Sequence, residues 1–201
     1  MAYQNSEQAI LIVLQLKHQY SCQSDPKILS SKQNIDILVV SCDSYSDVWP
    51  YFFNFFFKNW DKCPLQIYLI SNYKDFNYKN LKNIKVGKDI SWSDNLINAL
   101  ELIDKDYVLL MVDDLLINKK ISNNFFLKIS RWINKNKPDY LRLHISKKPL
   151  KYDNLIGKIP LMSLYKTSLM PCIWKKLVLK NLLKEGESAW DFEIYGSERA
   201  Y

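Results

Sequence analysis

The sequence predicts an α/β fold of three layers, α/β/α, around a mostly parallel central sheet. Three observations predict it. Short continuous apolar runs recur along the chain, as strands buried on both faces require. Segments with helical apolar spacing separate those runs. From residue 34 the resulting order is β-α-β-β-α-β-α-β, the alternation that builds parallel sheets through crossovers.

The elements follow in chain order. Asp36–Val40 (DILVV) is an apolar run, so it reads as a buried strand. Asp47–Trp60 reads as a helix, with Phe52, Phe53, Phe56 and Trp60 on one face. Gln66–Ser71 and Asn83–Val86 are the second and third strands. Asp94–Ile103 is a helix that turns Leu96, Ile97, Leu100 and Ile103 inward. Tyr107–Val112 (YVLLMV) is the most apolar strand. Asn123–Asn134 is a helix that Ser122 can cap and Lys137-Pro138 ends. Tyr140–Ile145 alternates, as a half-exposed or edge strand does. Met170–Leu183 reads as a further helix, with Pro171 in its first turn and Gly186 past its end. A last helix begins near Ser188. Residues 1–33 form an N-terminal extension, with a short amphipathic helix over Gln8–Leu16 and a polar loop through Pro26. Residues 34–201 form the one organised domain.

Composition excludes several classes. The 201 residues are 48% hydrophobic and 24% charged, with 4 Gly and 7 Pro. That fits a globular core and not a disordered, collagenous or linker-rich chain. The net charge of +7 favours anionic partners, or a lysine-coated surface. Cys22, Cys42, Cys63 and Cys172 form no C-x-x-C pair, and only His18 and His144 could join them, so a zinc site of ordinary spacing is not expected. Isolated cysteines without glycosylation sequons suggest a reducing, cytoplasmic setting. The early apolar run Ala9–Leu14 is too short for a signal or a membrane span.

In parallel sheets, ligands bind at the carboxyl ends of strands. The residues after Val40 and Val112 are therefore the first candidates. After Val40 stands Ser41-Cys42-Asp43-Ser44-Tyr45-Ser46, with neither G-x-G-x-x-G nor a P-loop anywhere in the chain. Such a polar turn can hold a base or ribose, or it can cap the next helix. After Val112 stand Asp113 and Asp114. Two carboxylates at the end of a buried strand repel each other and lose hydration. Mg²⁺ or Mn²⁺ removes that penalty and can neutralise a leaving diphosphate; the alternative is a helix cap or surface turn. Late in the chain, Asp191 and Glu193 flank aromatic residues and could act as a base. Ser188-x-x-Asp191 is also a capping pattern, as is Ser91-x-x-Asp94. Lys175, Lys176, Lys180 and Lys184 share one broad face of the Met170–Leu183 segment, either solvated or meeting acidic lipid. Trp92, Trp132 and Trp174 read as core or pocket wall.

The segments DILVVSCDSYSD, SWSDNLINALELIDKDYVLLMVDD and SLMPCIWKKLVLKNLLKEGESAWDFE together resemble GT-A-type glycosyltransferases. The resemblance runs from about Asn34 to Glu193. It implies a GT-A-like, Rossmann-like nucleotide-binding fold and a nucleotide-sugar donor, with a UDP-sugar favoured. Ser41, Asp43 and Ser44 would match the nucleotide loop. Trp92 and Asp94 stand where the family often carries Gly and Arg, and would line the donor site. Asp113 would touch donor and metal, and Asp114 the metal, Mn²⁺ or Mg²⁺, although the motif reads V-D-D and not D-x-D. Asp191 or Glu193 would match the catalytic base. The resemblance further implies a glycan or lipid-linked acceptor in bacterial surface polysaccharide synthesis; the positive surface would suit an acceptor on a lipid carrier at the inner membrane face, with the protein in the cytoplasm. A non-catalytic nucleotide-binding or scaffold module of the same fold is the alternative. No nucleic-acid motif is present, and nucleic acid is not an expected partner.

Overall fold

The computed structural model describes residues 34–143, 150–151, 156–160, 163 and 165–200. The N-terminal extension, with the helix read over Gln8–Leu16, lies outside the described residues, as do His144 and Ile145.

The first half of the domain matches the order read from sequence. Strand β1 (Ile35–Val40) is buried along its whole length, which is why it carries no polar face beyond Asp36. Helix α1 (Trp49–Asn59) follows. Pro50 sits in its first turn, where a missing N–H costs nothing. Strands β2 (Ile67–Ser71) and β3 (Leu81–Lys85) come next, then helix α2 (Trp92–Glu101), capped by Ser91. Strand β4 (Tyr107–Val112) leads to helix α3 (Asn123–Asn136). The Ser122 hydroxyl caps α3, and Lys137 closes it in the left-handed region at φ 48°. Strand β5 (Tyr140–Arg142) is short and buried. A small hairpin pairs β6 (Leu150–Lys151) with β7 (Gly157–Lys158).

The segment 170–183 departs from the expected single helix. Cys172–Lys175 is a strand, β8, and only Lys176–Leu182 is helical, α4. Among the described residues the sheet order is β3-β2-β1-β4-β8-β5. β8 runs antiparallel between β4 and β5, pairing Leu109 with Ile173 on one side and Leu141 with Ile173 on the other. The physical reason is burial on both faces. Cys172, Ile173 and Trp174 are all enclosed, and β-branched and aromatic residues fit that pleated setting. Pro171 therefore precedes a strand rather than opening a helix. β1 through β4 are mutually parallel, so the sheet remains mostly parallel.

Two apolar layers cover the sheet. Phe52, Phe53, Phe56, Trp60, Phe126 and Ile133 pack against one face, from α1 and α3. Leu96, Leu100, Leu179 and Phe192 pack against the other, with Trp174 of β8. At the chain end come a short helix α5 (Ala189–Asp191), one π-helical turn (Phe192–Gly196) and a short helix α6 (Ser197–Arg199).

Candidate functional site

β2, β1 and β4 are parallel neighbours, so the residues that follow them share one edge of the sheet. Strand alternation places Ser41 and Asp113 on the face covered by α1 and α3. The two meet there. Ser41 Oγ–H donates to Asp113 Oδ2, and Trp49 Nε1–H donates to Ser41 Oγ at 2.6 Å. Ser41 has therefore given its one proton to Asp113, and it keeps no donor for a ligand. Asp113 is only 8% exposed. Burial pushes its carboxyl up, the Ser41 hydrogen bond pulls it down, and Asp114 pushes it up again, leaving it raised. Asp114, one residue on, is exposed.

Asp43 opens a 3₁₀ turn, Asp43–Tyr45, between β1 and α1. Its carboxylate accepts the backbone N–H groups of Asn72 (2.9 Å), Tyr73 (3.0 Å) and Lys74 (3.2 Å). In return, Asp43 N–H donates to Asn72 Oδ1 at 2.9 Å. Desolvation acts to raise this carboxyl, but the three N–H donors and the Lys74 charge outweigh it and hold the group below its ordinary value. Lys74 Nζ adds bonds to Asp43 O (3.1 Å) and Ser46 Oγ (2.6 Å). Asn72 Nδ2 reaches Gly87 O at 3.0 Å. Gly87 has a φ of +78°, so it can make the turn after β3. The loops after β1, β2 and β3 are thus tied together. Ser44 is exposed beside this junction.

Trp92 and Asp94 begin α2. The Trp92 ring packs on Phe192 with centroids 5.5 Å apart. Asp94 accepts from Ser91 Oγ and from Gly186 N–H at 2.8 Å, and these bonds hold it below its ordinary value. Ser93 and Glu187 exchange backbone and hydroxyl bonds at 3.0–3.1 Å. The structure therefore brings Trp92 and Asp94 together with the late segment.

Asp191 completes a capping box. Ser188 Oγ–H (2.6 Å) and Ser188 N–H (3.0 Å) both donate to Asp191 Oδ2, which lowers the carboxyl. Glu193 lies in the π turn, half-buried. Its Oε1 accepts Leu169 N–H at 2.7 Å, and Oε2 takes no hydrogen bond from the described residues. Sequence reasoning missed Asn72, Thr167, Ser197 and the Glu187–Arg199 ion pair (2.6 Å). Asn72 follows β2 directly, so the rule that singled out residues after β1 and β4 also selects it. The Glu187–Arg199 pair has no local spacing signal.

Among the described residues, no three His, Cys, Asp or Glu side chains gather as a metal cluster. Asp113 is committed to Ser41. Asp114 is the exposed carboxylate of the pair. Three of the four lysines expected on one face are engaged within the chain. Lys175 pairs with Asp139, Lys176 with Ile103 O and Lys180 with Glu101. No helix among the described residues is long and apolar enough to cross a membrane.

No protein-family model matches the chain, and no curated protein matches it in sequence. Solved structures do match in shape. The crystal structure of S. aureus TarS 1-349 is 14% identical, covers 81% of this chain and 53% of its own, and gives a TM-score of 0.55. The fold is GT-A-like. The same TarS segment in complex with UDP is 13% identical, covers 83% of this chain and 54% of its own, and gives 0.52. The chain spans about half the length of these structures.

Proposed function

We propose that the protein is a glycosyltransferase that moves a sugar from a UDP-sugar to a hydroxyl of a glycan or lipid-linked acceptor in bacterial surface polysaccharide synthesis. The observation that carries this reading is the exposed carboxylate of Asp114 at the carboxyl end of the central strand, on a GT-A-like fold. The fold likeness to TarS, a glycosyltransferase with a UDP complex among its structures, supports the choice of donor.

Asp114 would hold Mn²⁺ or Mg²⁺, which when bound supplies Lewis-acid neutralisation of diphosphate charge. Asp113, fixed by Ser41, holds the turn that presents Asp114. The tied loops after β1, β2 and β3 offer Ser44 and backbone groups to the nucleoside, with Trp92 and Asp94 at the neighbouring helix start. Glu193 is the base. It takes the proton of the acceptor hydroxyl as that oxygen bonds to the anomeric carbon. The bond from that carbon to the diphosphate breaks, and UDP leaves with the electron pair. A positioned base contributes about 10²–10⁴-fold. Asp191 suits the role less, because Ser188 holds its carboxyl low and a lower pKa makes a weaker base.

One observation favours the alternative of a non-catalytic nucleotide-binding module. Ser41, Asp43, Asp94 and Asp191 are all engaged within the chain. Calorimetry with UDP-, GDP-, CMP- and dTDP-sugars, with and without Mn²⁺, separates the readings. The expected result is Mn²⁺-dependent binding of a UDP-sugar, weakened about tenfold or more in Asp114→Asn, with turnover lost in Glu193→Gln. Binding without turnover moves the assignment to the module. No nucleotide binding by folded protein removes both.

A further inference from the structure

We propose that Thr167 and Ser197 are positioning residues for Glu193, which they serve by locking the π turn that carries it. The inference deepens the transferase reading and rests on it.

A single π turn inside a helix is rare and recurs at functional sites. Its carbonyls bond N–H groups five residues on, instead of the four of an α-helix. Two hydroxyls reinforce the carbonyls of Phe192 and Glu193. Thr167 Oγ1–H donates to Phe192 O at 3.0 Å, and Ser197 Oγ–H donates to Glu193 O at 2.5 Å. Ser197 Oγ also accepts Thr167 N–H at 3.0 Å, and the two hydroxyl oxygens lie 2.9 Å apart. Thr167 is 1% exposed, so solvent cannot substitute for it.

The same loop also holds the carboxylate. Leu169, two residues after Thr167, donates its N–H to Glu193 Oε1. One short segment therefore fixes both the backbone and the side chain of Glu193. That segment is anchored in turn, because Ser168 O accepts from the buried Cys172 Sγ at the start of β8. Gly196 completes the lock. A Cβ there would lie 3.0 Å from the Phe192 ring and 3.3 Å from Thr167 Oγ1. A local capping box suffices to place Asp191; Glu193 alone receives this long-range scaffold.

The test measures donor binding and Mn²⁺-supported turnover of UDP-sugars by wild type, Glu193→Gln, Thr167→Val and Thr167→Ser. Val keeps the shape and removes the donor; Ser keeps the donor. A misplaced base lowers the chemical step while donor binding stays. Thr167→Val is expected to lose about tenfold or more in kcat, with donor Kd within about twofold of wild type. Thr167→Ser is expected to restore kcat. If Thr167→Val does not fold, Gly196→Ala presses on the same turn from the other side and carries the same expectation. A variant that melts lower yet keeps its kcat overturns the positioning role and leaves a structural one. Unchanged turnover in Glu193→Gln, or no turnover in wild type, instead overturns the transferase assignment of Glu193, and the inference falls with it.

Discussion

At the residue scale, the sheet edge holds a short relay from the Trp49 indole to the Ser41 hydroxyl and on to the Asp113 carboxylate. Removing its middle member strands two buried polar groups, whereas removing its outer donor strands none that is charged. Ser41→Ala is therefore expected to destabilise the fold by about 2–3 kcal/mol, whereas Trp49→Phe loses one hydrogen bond, about 1 kcal/mol, plus the buried volume of its larger ring. Urea midpoints at constant slope measure both; a Ser41→Ala loss under about 0.5 kcal/mol would show that the hydroxyl is not shared. Sequence alone placed Ser41 and Asp113 at this edge, because strand ends can be counted from apolar runs. It could not show that the two satisfy each other. That pairing needs β1 and β4 to be neighbours across 72 residues.

At the scale of elements, Asp43 joins loops that separate strands would otherwise leave independent. Its folded pKa lies below its unfolded value near 3.8, so the bonded form favours folding wherever the carboxyl is ionised. That contribution is fully present above the unfolded value and is lost as pH falls through the folded one. Wild type should therefore lose more stability than Asp43→Asn between pH 6 and pH 3, and parallel pH profiles of thermal unfolding would refute the tie. Helices α1 and α3 and strands β1 and β4 were legible because their apolar runs and spacing are long, and α3 has a local cap in Ser122. The 170–183 segment was not. Ile173, Trp174, Leu177 and Leu182 mimic a helical face, and only the position of β8 between β4 and β5 makes the first of them strand residues. The π turn was illegible for a related reason, since one of the two hydroxyls that support it comes from residue 167.

At the scale of the whole molecule, the sheet order can be tested through the thiols. Cys172 is fully enclosed in β8, and burial pushes it and Cys63 up to about 12, so neither is ionised near neutrality. Cys42 is half-exposed. Alkylation at pH 8 mapped by mass spectrometry should modify Cys42 and spare Cys172 until denaturant is added. Rapid labelling of Cys172 in native protein would contradict the strand. The late arrival of β8 also bears on biogenesis. As the polypeptide leaves the ribosome, β4 and β5 emerge first, but neither can hydrogen-bond the other, because their shared partner has not yet been made. Until residue 175 is clear of the exit tunnel, β4 lacks β8 on one rim and β5 lacks the one ladder it makes among the described residues. A nascent chain stalled before that point carries an adhesive edge, so chaperone capture should peak over that window and end once the late strand slots between its neighbours.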